Sequence, residues 1–207
     1  MTLGPQPELH RWNERYSASD YIFGTAPNAF LAAHAKLFRP GQRAVCIADG
    51  EGRNSVWLAQ QGLEVEAFDF SPIGVDKARR LAAARGVSVR YEVASVYEWR
   101  WPAAAFDVVA AIFVQFADPP MRRFMFERMA QALKSGGLLL IEGYTPKQLE
   151  FGTGGPKQLD QLYTEELLRA SFQDFEVLEL RQYEAELNEG SRHQGSSAVI
   201  DLVARKR

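Results

Sequence analysis

Residues 43–54 read RAVCIADGEGRN, and residues 63–72 read LEVEAFDFSP. The run 43–47 is apolar, short and closed by a glycine-rich turn, which marks a fully buried strand. A helix follows over 54–61 and stops at Gly62. Residues 63–68 form a second strand that ends at Asp69. Ser71 and Pro72 have the chemistry of a helix cap and first helical position. That helix runs to Arg85 and stops at Gly86. Strand, turn, helix, strand, helix is a βαβ unit, and βαβ units build parallel sheets.

The pattern continues on both sides. Residues 87–93 read as a third strand. Residues 106–113 (FDVVAAIF) read as a fourth, apolar on both faces as a central parallel strand is. A helix over 120–133 is expected to close at Ser135-Gly136-Gly137, before a fifth strand at 138–143. Residues 144–161 hold Pro146, Gly152, Gly154, Gly155 and Pro156 and read as a long loop. A short helix follows at 164–171. Residues 175–187 and 197–205 alternate like two half-exposed strands joined through Asn188-Glu189-Gly190, an antiparallel hairpin.

The turn between the first strand and its helix carries the chemistry. Glycines at 50 and 52 let backbone N–H groups approach a ligand at a helix start. By itself, a Gly-x-Gly turn is equally compatible with a purely structural tight turn. Asp69, about twenty residues on at the end of the second strand, adds a carboxylate that accepts both hydroxyls of a vicinal diol such as a ribose. The competing reading of Asp69 is a negative charge near the start of the next helix. Turn and carboxylate together favour a nucleoside ligand.

Composition narrows the class. The chain has 207 residues, 46% apolar and 24% charged, as expected of one globular domain with a core. Its formal net charge of −2 advertises no nucleic-acid or anionic-membrane partner. The single cysteine, Cys46, excludes an internal disulfide and fits a reducing, cytoplasmic setting. Residues 1–17 lack the apolar stretch of a signal peptide, and no run reaches the roughly 18 apolar residues of a membrane span. No metal-ligand pattern is evident, and the expected assembly is a monomer or homodimer.

Taken in order, AVCIADGEGRN (44–54), EVEAFDFS (64–71), FDVVAAIF (106–113) and LKSGGLLLIE (133–142) resemble the successive motifs of class I S-adenosylmethionine-dependent methyltransferases. The flanks WNERY (12–16), YIFGTAPN (21–28), YTP (144–146), GTGGP (152–156) and ELNEG (186–190) are similar to the bacterial group of tellurite-resistance and thiopurine methyltransferases. The resemblance implies a doubly wound, mostly parallel seven-stranded α/β sheet with a terminal antiparallel strand and helices on both faces. Residues 1–38 would be a helical lid segment and 39–207 the Rossmann-like core of a single domain. S-adenosylmethionine would lie across the carboxyl ends of the first two strands. Ala48, Asp49, Gly50, Gly52 and Asn54 would line the turn. Asp69, with Phe70 and Ser71, would hold the ribose, Ser95 and Val96 would flank the adenine, and Ile112 would complete the set. The chain departs from the family at four places: Cys46 stands where an acid is usual, Ala48 where the first glycine is, Asp49 where a small residue or cysteine is usual, and Ser95 where an aspartate is frequent. Asp49 is expected to supply the missing charge.

The acceptor is expected to be small and soft or already anionic, a thiol or a chalcogen oxyanion, because no acid–base pair is evident. Tyr16, Tyr21, Gln115 and His193 are the candidates for a role in the reaction. Core aromatics, a solvated loop residue and a surface histidine are their respective alternatives. The aromatic N-terminal segment, residues 144–156 and residues 188–193 are expected to close over the cleft. Two other functions remain open: a non-catalytic S-adenosylmethionine-binding protein, and a nicotinamide-dependent oxidoreductase, whose fingerprint Gly50-x-Gly52-x-x-Ser55 nearly matches.

Overall fold

A computed structural model describes residues 6–190 and 193–207. The first five residues of the expected lid, and residues 191–192 of the expected hairpin turn, lie outside the described residues. Seven strands form one sheet in the order β3-β2-β1-β4-β5-β7-β6. The chain divides into two compact units, Met1–Arg100 with Glu189–Arg192, and Trp101–Asn188 with His193–Arg207.

The first unit contains β1 (Arg43–Ile47), β2 (Glu64–Asp69) and β3 (Val89–Val93), all parallel. Four of the five β1 residues are buried, as its unbroken apolar run requires. Register places Ile47 beside Phe68 and Asp69 beside Val93, so the carboxyl ends of the three strands finish together. The helices are α1 (Gln6–Tyr16), α2 (Ala29–Ala33), α3 (Arg53–Gln60) and α4 (Pro72–Ala84). Ser71 caps α4 as its sequence position suggests: its Oγ accepts from the Gly74 N–H at 3.1 Å, and Pro72 opens the helix. Phe68 stacks on Trp99 at 4.6 Å between ring centroids, and it is this kind of full burial, about 1.5–3 kcal/mol per large apolar side chain, that holds the unit together.

The second unit contains β4 (Phe106–Ile112), α5 (Pro119–Ala132), β5 (Leu133–Tyr144), α6 (Gln148–Phe151), α7 (Glu165–Ser171), β6 (Phe175–Glu189) and β7 (His193–Lys206). β4 and β5 are parallel, and β7 runs antiparallel to β5 with Glu142 opposite Asp201 and Tyr144 opposite Val199. The expected strand, helix and hairpin order is therefore present, with three corrections. The strand β7 is not half-exposed: residues 197–204 are all buried, because β7 lies between β5 and β6, and only the outer strand β6 keeps the alternation. Ser135-Gly136-Gly137 does not close α5; the helix ends at Ala132 and these residues belong to β5, whose pairing shifts register near Phe106. The stretch 144–161 is not wholly loop, since it contains α6 and a short 3-10 turn at Leu159–Gln161.

Candidate functional site

The turn after β1 is built from three left-handed residues, Ala48 at φ 47°, Gly50 at φ 59° and Gly52 at φ 91°. Glycine is required at two of them for space as well as backbone. A Cβ on Gly50 would lie 2.6 Å from the Tyr16 hydroxyl, and one on Gly52 would lie 2.7 Å from Cβ of Ala78 and 3.0 Å from the Tyr91 hydroxyl. The sequence gives the space above Gly50 to a ligand, whereas the structure brings Tyr16 of α1 onto it. The Tyr16 ring also covers Gly74, where a Cβ would come within 3.0 Å. Burial, reinforced by Asp69, Glu51 and Asp49, pushes the Tyr16 phenol well up, so it stays a neutral donor.

Asp69 is buried directly behind this turn. One carboxylate oxygen accepts from the Gly50 N–H at 2.9 Å and the other from the Ser71 N–H at 2.8 Å. Burial lifts its pKa to about 6 against the pull of those two bonds, which leaves the group mostly charged at neutral pH. Each oxygen still has a second lone pair for a ligand hydroxyl. Ser71 is buried as well, and its hydroxyl donates to Asn13 at 2.6 Å. Phe70 between them is half-buried. The Ala94 N–H bonds to the Asp69 carbonyl at 3.0 Å, which brings Ser95 and Val96, both buried, to the same strand ends. Ser95 donates to Glu98 at 2.8 Å, a partner the sequence did not single out.

Asp49 faces the other side of the turn. Its carboxylate takes the Ser55 hydroxyl in a short hydrogen bond and the Ser55 N–H at 3.3 Å, and Ser55 meets the Tyr91 hydroxyl at 2.9 Å. Burial, with the Asp49 carboxylate nearby, pushes the Cys46 thiol well up, so it stays neutral. Burial raises Asp49 to about 7, with the Ser55 bonds opposing and Asp69 adding to the rise. Any negative charge of the two therefore lies on Asp49.

The side chains of Glu51, Arg53 and Asn54 point to residues 18–29. Glu51 and Lys77, both buried, form an ion pair at 2.5 Å. The Lys77 ammonium also donates to the carbonyls of Ala18 at 2.9 Å and Asp20 at 2.6 Å, while Glu51 accepts from the Ile22 N–H at 2.8 Å. Tyr21 donates its hydroxyl to the Lys77 carbonyl at 3.0 Å and lays its ring near the ammonium. Arg53 pairs with Glu189 at 2.7 Å, and Glu189 accepts from the Asn28 side chain and the Ala29 N–H, each at 3.0 Å. Asn54, expected to line the ligand turn, uses its oxygen on the Asn28 N–H at 3.0 Å. None of Glu51, Arg53, Lys77 or Glu189 was legible as buried, because charged residues on helices, turns and hairpins ordinarily read as solvated.

The remaining candidates stand on the second unit. Ile112 ends β4 and is half-buried. Gln115 is buried and fastens strand ends: its Nε2 donates to the carbonyls of Tyr144 at 2.8 Å and Gln161 at 3.1 Å, and its Oε1 takes the Tyr144 N–H in a short bond. It is not a solvated loop residue. His193 packs its ring edge-on to Phe113 at 4.4 Å and lies 6.0 Å from Tyr144, so it is part of an aromatic cluster rather than a surface histidine. Phe113 itself adopts φ 55°, a strained value for an aromatic residue. Sequence reasoning missed Glu142 and Asp201, two buried acids paired across β5 and β7, with Asp201 accepting from Arg181 at 3.1 and 3.2 Å. Asp201 was hidden by reading residues 197–205 as a half-exposed strand, and Glu142 by standing at the end of an otherwise apolar strand.

Residues 44–137 match the family model of a methyltransferase domain. S-adenosylmethionine is the cofactor that such a domain implies; the glycine turn offers backbone N–H groups and Asp69 a buried carboxylate with lone pairs for hydroxyls, while Tyr16 lies over Gly50. The chain is 30% identical over 119 residues to the demethylmenaquinone methyltransferase of Deinococcus radiodurans, an overlap of 56% of this chain and 48% of that one. It spans about half the length of the curated relatives it matches, 44% of the first of them. Among solved structures it resembles one from work on conversion of a disulfide bond into a thioacetal group during echinomycin biosynthesis (TM-score 0.77, 16% identity, 96% of this chain and 92% of that one). It also resembles TehB from Haemophilus influenzae, with a TM-score of 0.69 and 16% identity over 95% of this chain and 66% of that one. At that identity the likeness shows the fold alone, and the expected membership of the tellurite-resistance group stays a fold-level likeness. Among the described residues no helix is long and apolar enough to cross a membrane.

Proposed function

We propose that this chain is a single functional domain that transfers a methyl group from S-adenosylmethionine to a small acceptor. The observation that carries the reading is the pairing of Asp69 with the Gly50 N–H at the mouth of the turn, inside the segment that matches the methyltransferase domain. When bound, S-adenosylmethionine supplies a methyl group on a cationic sulfonium, ready for in-line displacement. Asp69 accepts the ribose hydroxyls, Ser95 and Val96 border the adenine, and the backbone from Gly50 to Gly52 borders the methionine part beside Tyr16. Asp49, on the Ser55 side of the turn, adds negative charge when ionised, in place of the acid usual at the Cys46 position. Tyr16 covers Gly50 and excludes water, which favours methyl transfer.

A soft or anionic acceptor, a thiol or a chalcogen oxyanion, suits the residues around the turn. The acids there, Asp49, Glu51 and Asp69, are each engaged by a partner within the protein, and an acceptor that is already nucleophilic needs no base. The test is a screen of small thiols, selenite, tellurite, halides, alcohols and amines with methyl-labelled cofactor. Label transferred to a thiol or chalcogen supports the reading. Transfer only to hydroxyl or amine acceptors overturns the acceptor class, and cofactor binding without any transfer favours a non-catalytic binding protein.

A further inference from the structure

The turn 48–52 has two sides. Gly50 and Gly52 give it its left-handed backbone, while the residues between and after them, Glu51, Arg53 and Asn54, turn their side chains toward residues 18–29. Glu51 is the pivotal one, because its backbone is part of the turn and its carboxylate is part of the strap. That carboxylate binds Lys77 and the Ile22 N–H. The Lys77 ammonium pairs with Glu51 and donates hydrogen bonds to the carbonyls of Ala18 and Asp20. One buried ion pair therefore joins the turn, α4 and residues 18–22 at a single point.

Stability alone does not call for such a pair. Desolvating two charges costs as much as their attraction returns, and well-packed apolar replacements are often neutral or stabilising. What the pair adds is a fixed geometric link. The left-handed backbone at Gly50 and Gly52 sets the direction of the Glu51 Cα–Cβ bond, and the carboxylate then sets the position of the Ile22 N–H. The strap carries aromatic residues that cover the turn. Phe23 packs at 6.2 Å from Trp12, and Trp12 at 5.3 Å from Tyr16, which lies on Gly50. Gly190 locks the far end, since a Cβ there would meet the Gly24 N and the Ile22 carbonyl at 2.5 Å.

We propose that Glu51 and Lys77 are positioning residues that couple the strap 18–23 to the glycine turn, so that occupation of the turn by the cofactor and closure of the aromatic segment are one event. The inference rests on the reading that S-adenosylmethionine occupies this turn. A ligand that stiffens the turn fixes Glu51 and tightens the strap. By thermodynamic reciprocity, loss of the strap contact weakens the ligand by the same factor.

The test measures hydrogen exchange at the Ile22 and Phe23 amides and calorimetric S-adenosylmethionine binding, on the full chain. In the parent, saturating cofactor should slow exchange at Ile22 and Phe23 by about tenfold. The variant Glu51→Gln/Lys77→Met removes both charges with little change of volume, so it leaves no buried charge unpaired. It should keep the amides of β1 and β2 as protected as in the parent, lose the cofactor effect at Ile22 and Phe23, and bind the cofactor about tenfold more weakly. A merely structural pair would instead shift protection across the whole unit. Should the variant fail to fold, Tyr21→Phe, which removes one hydrogen bond to the Lys77 backbone, gives a partial loss of the same coupling. Parent that binds cofactor with unchanged exchange at Ile22 and Phe23 overturns the coupling alone. Parent that binds no cofactor overturns the functional reading and the coupling with it.

Discussion

At the scale of single residues, the aspartates around the turn set the pH behaviour. Burial holds Asp49 near 7 and Asp69 near 6, whereas an unfolded aspartate titrates at about 3.9. Between those values the folded chain binds more protons than the unfolded one. Their contribution to stability is thus full below about pH 4 and is lost as pH rises through 6 to 7. The melting temperature is expected to rise as pH falls from 8 to about 5.5, and Asp49→Asn should flatten that rise. Affinity for a cationic cofactor should move the opposite way, strengthening as both carboxylates ionise. A melting series alongside a binding series across that range checks both signs. Ala48 offers a separate test. An alanine in the left-handed region costs roughly 1–2 kcal/mol, and glycine gives back about 0.4–1 kcal/mol through the unfolded chain. Ala48→Gly should therefore stabilise the fold by about 0.5 kcal/mol, visible as a small rise in the denaturant midpoint. A fall would mean that the Ala48 methyl makes contacts worth more than the strain.

At the scale of elements, α1 and the strap after it are joined to the first unit by polar bonds as much as by packing. Ser71 holds Asn13, Tyr16 covers Gly50, and Lys77 with Glu51 holds residues 18–22. None of these bonds is part of the ladders β1–β2 or β2–β3. Deletion of residues 1–23 is expected to leave the sheet folded, by circular dichroism and by protection of β1 and β2 amides, to weaken cofactor binding, and to abolish turnover. Full turnover in the truncated chain would show that the aromatic segment is packing only. The same elements show what the sequence could convey. The order of strands and helices was legible because apolar runs, glycine stops and the Ser71-Pro72 cap act locally. The burial of β7 was not, because whether an alternating strand lies inside or at the edge depends on β6 coming to lie beyond it.

At the scale of the whole molecule, the near-neutral balance of 24 basic and 26 acidic residues conceals how many charges lie inside. Asp69 could be singled out because its spacing from Gly50 follows from the βαβ unit. Glu51, Lys77, Arg53 and Glu189 could not, since their partners are far away in the chain, Arg53 and Glu189 by 136 residues. Local patterning reads such residues as solvated. The methyltransferase reading survives that blindness because its central claim needs only the local part, the turn and the carboxylate behind it. Calorimetric titration of S-adenosylmethionine into the parent and into Asp69→Asn tests that claim most directly. The parent should bind one equivalent, and the variant, which still has one oxygen to accept a backbone N–H, should stay folded and bind about 10- to 100-fold more weakly, the loss of one charged hydrogen bond of roughly 1.5–3 kcal/mol. Equal affinity in the two proteins, or no binding to the parent, would contradict it.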